Sequence, residues 1–369
     1  MPNVHWIYLD LPRWASFWKK GQRGVRLYYS LWQLAAYWKA RELHRAVHLD
    51  LTHHVTFVNY WLMTFLPFLP LPFVWGPVGG GESTPSSFRG FLSVRGRIYE
   101  AAREVARALG ELNPIVRLSA RRATIALATT RDTEQRLRRL GCKNVSVFTQ
   151  ASLPPEEIHQ FAEIPSRTDA PFRVVSMGRL VHLKGFELGL RAFARFHANF
   201  PESEYWLIGD GPERKRMERL ALTLGVSQAT RFWGMMPRER AITALSQCDV
   251  LLFPTLHDSG GCVSVEAMAA GRPVICLDLG GPALQVTEAT GIKVPAITTD
   301  QVVTDLASAI EQLAVDPERR SKLGEAGRLR IDQEFNWEHK GEQLARLYER
   351  LVNPSTRVVP SGVQLEAKR

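Results

Sequence analysis

From residue 172 onward, short apolar runs alternate with longer segments whose apolar residues recur every three or four positions. Phe172–Gly178 (FRVVSMG), Glu204–Gly209 (EYWLIG), Thr230–Gly234, Val250–Pro254, Pro273–Leu277 and Gly291–Val294 read as strands. Helical patterns over Lys184–Asn199, Glu213–Leu224, Arg238–Gln247, Val263–Ala270 and Asp300–Ala314 separate most of them. Strands with little polar alternation, spaced by amphipathic helices, predict a parallel sheet covered on both faces. Such a doubly wound α/β sheet takes ligands at the carboxyl ends of its strands.

The pattern before residue 164 is less regular but also α/β. Strands are expected at Val4–Leu9, Asp50–Phe57, Pro72–Gly76, Thr124–Ala128 and Asn144–Phe148. Helices are expected at Val25–Arg45, Ile98–Leu109, Pro114–Ala123 and Asp132–Leu140. The stretch from Leu51 to Gly81 carries no charge, yet Pro67, Pro70, Pro72 and Pro77 cut it too short to span a bilayer as a helix. With a linker near Ile164–Pro171, the division is an N-terminal domain over 1–165 and a C-terminal domain over 166–335. An amphipathic helix over 336–352 then packs back on the first domain, and 353–369 forms a flexible tail.

A chain of 369 residues is too long for one ordinary core and fits two domains. A hydrophobic share of 45% with mean hydropathy −0.15 excludes wholesale disorder and a polytopic membrane protein. The net charge of +10 is unevenly placed: residues 1–160 hold 21 Lys and Arg against 11 Asp and Glu, and the rest holds 26 of each. Seven of the ten tryptophans (Trp6, Trp14, Trp18, Trp32, Trp38, Trp61, Trp75) lie in the same basic part, among Lys19, Lys20, Arg23, Arg26, Lys39 and Arg41. That mixture suits an anionic lipid surface or a lipid diphosphate, or else core tryptophans beneath a solvated face. Nucleic acid is not expected, because no recognised binding module accompanies the charge. Cys142, Cys248, Cys262 and Cys276 are scattered and read as reduced thiols of a cytoplasmic chain without a signal peptide.

The chemistry sits at strand ends. After FRVVSMG come Gly178, Arg179 and, opening a helix, Lys184: two cations beside a helix start make an anion site or, alternatively, a solvated basic turn. Gly209-Asp210-Gly211-Pro212 permits close approach of a ligand, or is simply a good β-to-α turn. Asp258-Ser259-Gly260-Gly261-Cys262-Val263 carries an acid into a Gly-rich loop, and Glu266 follows on a helix. Amides near Gly260–Val263 can face a diphosphate. Glu266 can accept from a ribose diol, or merely complement the helix dipole.

These residues resemble the glycosyl transferases group 1 domain of retaining GT-B glycosyltransferases, family 4. The resemblance runs through MGRLVHLKG (177–185), GDGPE (209–213), FWG (232–234), PTLHDSGGCVSVEAMAAGRPVI (254–275) and GGP (280–282). It implies two Rossmann-like domains facing a cleft, with the nucleotide-sugar donor on the second and the acceptor on the first. By the family's E-x7-E pair, Asp258 would meet the donor sugar and Glu266 the nucleotide ribose, although an Asp stands where the family has Glu. Arg179 and Lys184 would hold the donor diphosphate, with Asp258 forming the catalytic set. Gly178, Gly209, Gly211, Gly260, Gly261, Cys262 and Val263 would line the donor, and Trp233 would meet its base. No metal or other cofactor is expected, since those cations and loop amides can stabilise the leaving phosphate.

The N-terminal half departs from the family. No strand followed by a Gly-rich loop opens it, so it reads as the fold without its first β–α unit, by truncation or with Val78–Glu82 taking over. The low-ranking cleft candidates are His53, His54, Gly80 and Glu82. A packed, hydrogen-bonded role is favoured for the two histidines. The expected partners are a nucleotide sugar, a glycan or lipid-linked acceptor, and the inner face of the cytoplasmic membrane. Rival readings are a non-catalytic or truncated nucleotide-sugar-binding protein and a GT-B sugar-nucleotide epimerase.

Overall fold

A computed structural model describes residues 4–18, 21, 23–55, 57–164 and 171–353. Among these, ten strands make two all-parallel sheets. The first sheet holds β1 (Thr52–His54), β2 (Phe73–Val78), β3 (Ile125–Ala128) and β4 (Val145–Val147), side by side in that order. The second holds β5 (Arg173–Met177), β6 (Glu204–Ile208), β7 (Thr230–Gly234), β8 (Val250–Phe253), β9 (Val274–Leu277) and β10 (Gly291–Val294). Its order is β10-β9-β8-β5-β6-β7.

The helices of the first part are α1 (Arg13–Ser16), α2 (Val25–Val47), α3 (Val94–Leu112), α4 (Pro114–Arg122) and α5 (Arg131–Arg139). Next come α6 (Pro155–Ala162), α7 (Phe186–His197), α8 (Arg214–Thr223), α9 (Arg238–Ser246) and α10 (Cys262–Ala269). The chain closes with α11 (Gly280–Gln285), α12 (Thr299–Val315), α13 (Pro317–Glu334) and α14 (Trp337–Val352).

The central strands of the second sheet are buried on both faces because successive residues along them are mostly apolar and point to opposite sides. Tyr205 and Leu207 enter one core with Phe193, Leu306 and Ile310, while Trp206 and Ile208 enter another with Val265, Met268 and Ile331. Each fully buried Leu, Ile or Phe there contributes about 1.5–3 kcal/mol of transfer free energy. The first sheet has one such core, where Phe73, Trp75, Ala126 and Ala128 meet Tyr60, Val116 and Leu137. Its other face looks toward α14 across a groove of about 830 Å³ lined by Ile125, Leu127, Phe148, Leu344 and Leu347.

One expected strand is absent. Residues 4–12 are mostly exposed and carry no regular structure. Their backbone bonds go to side chains of α2 instead: the Trp32 indole donates to the Leu9 carbonyl (2.8 Å) and the Leu11 amide donates to the Tyr28 hydroxyl (3.2 Å). With those groups already engaged, the segment has no ladder to join. Four helices were not anticipated: α1, α6, α11 and α13. In α13, eighteen residues bury only Leu323, Gly324, Gly327 and Ile331, too few to show a stripe. In α6 the short PEEIHQFA segment follows two prolines and buries only Phe161.

No helix of the described residues is long and apolar enough to cross a membrane. The greater parts of the expected linker and tail lie outside the described residues, as do Lys19 and Lys20.

Candidate functional site

β5 and β8 are neighbours, yet the chain leaves them in opposite directions, toward β6 and toward β9. That reversal opens a crevice at the carboxyl ends of the two strands, where ligands of doubly wound sheets sit. Gly178 and Arg179 follow β5 directly, and the loop from Pro254 to Gly261 follows β8.

The backbone forces these two loops together. After β5 the chain makes a single tight turn over His182–Lys184, ended by Gly185 at φ 65°. A Cβ on Gly185 would run into the Pro254 carbonyl, so only glycine fits. The Leu183 carbonyl accepts both the Leu256 amide (2.8 Å) and the Thr255 hydroxyl (3.1 Å). Lys184 is thereby delivered to Asp258, and its ammonium pairs with Asp258 Oδ2 while lying 5.0 Å from the Phe253 ring centre.

Asp258 Oδ1 accepts the amides of Gly260 (3.0 Å) and Gly261 (3.2 Å). Burial works to raise the pKa of Asp258, but Lys184 and these amides outweigh it and hold the carboxyl below its ordinary value. The outcome is a fixed anion at the mouth of the crevice. It differs from the expected arrangement in one respect: the Gly260 and Gly261 amides point at Asp258 rather than toward a diphosphate. The start of α10, at Cys262 and Val263, is where helix-terminal amides without intrahelical partners fall. The Gln285 side chain, fully buried, braces the loop by donating to the Gly260 carbonyl.

Glu266 sits in the second turn of α10 and is mostly buried. Its Oε1 accepts from Arg238 Nη1 (2.6 Å), and Arg238 bridges on to Glu157 (2.5 Å). Burial dominates here and pushes the Glu266 pKa up, with Arg238 opposing and Glu157 adding to the rise. Trp233, at the end of β7, is 44% exposed and stands edge-on to Trp206 with ring centres 5.1 Å apart. Arg179 is exposed beside the crevice.

The glycines divide by what holds them. A Cβ on Gly209 would overlap the Gly178 carbonyl and one on Gly211 the Leu180 carbonyl, so their smallness serves the approach of two strand ends. Gly178 has φ 141°, and a Cβ there would make only ordinary contacts, 3.9 Å from the Lys184 and Phe186 side chains.

On the N-terminal side, Gly80 and Glu82 do lie at the cleft, but Glu82 is buried and saturated. Its carboxylate accepts the Gly80 amide (3.0 Å), the hydroxyls of Thr130 (2.5 Å) and Thr133 (3.2 Å), and Ser259 Oγ (2.9 Å) from the second domain. His54 is buried against the Tyr29 hydroxyl (3.1 Å). His53 bonds the Gly76 carbonyl through Nε2, which must therefore donate, and Nδ1 meets the Tyr348 hydroxyl of α14 at 2.5 Å. Burial lowers the His53 pKa against that carbonyl bond. Among the described residues, no three His, Cys, Asp or Glu side chains form a metal-binding cluster.

Arg238, Glu157, Gln285 and Tyr348 were missed from sequence. Each acts across the fold through one or two polar contacts, and no local spacing marks such a residue.

Comparison with known proteins finds relatives by sequence and by fold. Residues 158–330 match the family model described as Glycosyl transferases group 1. The chain is 31% identical over 211 residues to a GDP-mannose-dependent monoacylated alpha-(1-6)-phosphatidylinositol monomannoside mannosyltransferase of Corynebacterium glutamicum, covering 55% of this chain and 53% of that protein. It is 31% identical over 227 residues to the lipopolysaccharide core biosynthesis glycosyltransferase LpsD of Rhizobium meliloti, covering 60% and 63%. The chain thus spans little more than half the length of these relatives. The lipopolysaccharide outer core galactosyltransferase WaaB has the same fold, with TM-score 0.62 at 13% identity over 87% of this chain and 81% of that one. Two parallel sheets, with that sequence match on the second, give the chain a GT-B fold whose residues 158–330 are similar to the Glycosyl transferases group 1 domain.

Proposed function

We propose that the protein is a retaining glycosyltransferase of hexosyl type. It moves a sugar from a nucleotide-sugar donor, bound at the six-stranded sheet, to a glycan or lipid-linked acceptor in the cleft. The observation that carries this reading is the Lys184–Asp258 pair at the β5/β8 crevice, beside the start of α10.

Breaking a sugar–diphosphate bond builds positive charge on the sugar and negative charge on the leaving phosphate. Lys184, Arg179 and the opening amides of α10 supply the positive potential that the phosphate needs, so transfer proceeds without a metal in this reading. Asp258, kept ionised, suits a donor-sugar hydroxyl as hydrogen-bond acceptor. Glu266 is tethered through Oε1, which leaves Oε2 outside that pair for a ribose hydroxyl. Trp233 offers an exposed ring for the base. Attack from the front face, with the leaving phosphate taking the acceptor proton, gives retention, and the family resemblance supports it.

The acceptor side is the basic, Trp-rich half. Trp6, Trp14 and Trp38 are exposed, and Arg41 lies over the Trp38 ring at 5.3 Å, a combination that suits peripheral contact with an anionic membrane on its cytoplasmic side.

Thermal-shift titration with UDP, GDP and ADP tests the donor reading. One nucleotide should stabilise the protein, and Lys184→Ala should remove the response. If none stabilises it and donor turnover is undetectable, the transferase reading fails; binding without turnover would favour a non-catalytic protein, and donor inversion without acceptor an epimerase. Co-sedimentation with phosphatidylglycerol vesicles tests the membrane contact, and no retention at low salt would reject it.

A further inference from the structure

Across the cleft from the donor loops, helix α3 buries a carboxylate that nothing above uses. Glu100 is 5% exposed. Its Oε1 receives two imidazoles at once, His182 Nε2 at 3.1 Å and His257 Nε2 at 3.0 Å, both from the second domain. Its Oε2 meets the Thr84 hydroxyl at 3.4 Å. A carboxylate only accepts, so both Nε2 atoms carry the proton toward it.

The positions of the two histidines give the cluster its meaning. His182 opens the tight turn that ends in Lys184, and His257 immediately precedes Asp258. Glu100 therefore grips both loops that carry the central ion pair, from the opposite side of the cleft. The grip lies within a longer seam. Ser93, the cap of α3, donates to Glu213 at 3.1 Å, and Gly96 lies so close to His182 that a Cβ there would stand 3.0 Å from its side chain. Tyr99 meets the His182 ring edge-on with centres 5.3 Å apart.

Burial alone would push the Glu100 pKa up, but the bonds from His182 and His257, with His257 and Arg103 as charges, drive it well below the usual carboxylate range. The group is an anion wherever the protein is folded near neutrality. A buried anion far from its partners carries a large desolvation cost, so the two domains are held together as long as both imidazoles are presented.

We propose that Glu100 is a positioning residue: from the N-terminal domain it grips the His182 and His257 loops and so holds the Lys184–Asp258 pair, already joined within the second domain, against the first domain when the cleft is closed. This rests on the transferase reading above. It adds that the first domain sets where the donor groups face the acceptor, although every group expected to touch the donor belongs to the second.

The test compares Glu100→Ala and Glu100→Gln with wild type. Glu104→Gln, which removes one partner of the exposed Arg89–Glu104 pair on the same helix, serves as control. Equilibrium binding of the nucleoside diphosphate that stabilises wild type should change by less than about threefold. kcat of donor turnover should fall about 10–100-fold in Glu100→Ala, the size expected when a buried hydrogen-bonded carboxylate is removed. Glu100→Gln keeps a carbonyl acceptor at the same place and should recover much of kcat. Small-angle scattering should show a larger radius of gyration for Glu100→Ala than for the control. His257→Ala should add little to Glu100→Ala, because the two act through one contact.

Unchanged kcat and unchanged radius in a folded Glu100→Ala protein would overturn the proposal. So would a fall in kcat matched by an equal fall in nucleotide affinity and in Tm, the mark of a purely structural role. If wild type binds no nucleotide, the transferase reading fails instead, and the scattering comparison alone then decides whether Glu100 holds the domains.

Discussion

The two sheets are built from the same unit, a parallel strand followed by a helix, and they differ in how the strands are ordered. In the first, β1 to β4 lie in chain order, so among the described residues winding never reverses. In the second, winding reverses between β5 and β8, and Lys184 and Asp258 meet there. Reversal is what splays two loops apart at strand ends and leaves a crevice between them. The first sheet, lacking it, brings side chains to the cleft only as struts: Glu82 beneath Ser259, and Glu100 beneath two histidines. One half makes a site, and the other half closes it.

The sharpest way to break that contrast is to weaken each half separately. Trp75→Ala should cost about 3–5 kcal/mol, because the ring is fully buried in the single core of the first sheet. Calorimetry should then show the loss while nucleotide stabilisation of the second half survives. A loss of both together would mean that the halves do not behave as separate units. Lys184→Ala should cut donor turnover about 10²–10³-fold and, by leaving the mostly buried Asp258 carboxylate without its cation, lower the Tm of ligand-free protein by less than Trp75→Ala does. Gly209→Ala tests whether the second half depends on close strand ends. At φ 127°, with the Gly178 carbonyl in the way, the change should cost about 1–3 kcal/mol and weaken nucleotide binding with it.

The smallest effect concerns the link through α14. Burial depresses the folded pKa of His53 below its unfolded value of 6.5, so its contribution is present above that pH and is lost as pH falls through the folded value. Tm measured from pH 8 to 5 should fall less steeply in His53→Gln than in wild type; equal slopes would remove His53 as a contributor.

What sequence could announce follows from range. The six strands of the second sheet are short, mainly apolar runs, five of them closed by glycine or proline, and their boundaries agree with the structure to within a residue or two. Lys184, Asp258 and Glu266 fall within one family pattern, the first two at turns and loops after strand ends and Glu266 on the helix that follows. Val4–Leu9 misled because an apolar segment can lie against a helix as easily as in a sheet; here the Leu9 carbonyl accepts from Trp32, and the Leu11 amide just beyond it donates to Tyr28. The direction of the Gly260 and Gly261 amides was equally out of reach, since it depends on a χ angle of Asp258. Glu100 and its histidines lie 82 and 157 residues apart in the chain, and no periodicity spans such a gap.

The Leu183 carbonyl, which ties Leu256 and Thr255 to the Lys184 turn, has a kinetic meaning. Lys184 and Asp258 ride on one stitched unit inside a single domain, so they travel together when the cleft opens. In the transferase reading proposed above, a nucleotide sugar held by that unit stays held with the cleft open. That reading predicts ordered encounter, donor first and acceptor second, with the glycosylated product leaving ahead of the spent nucleotide. Nucleoside diphosphate should accordingly compete with the donor and not with the acceptor.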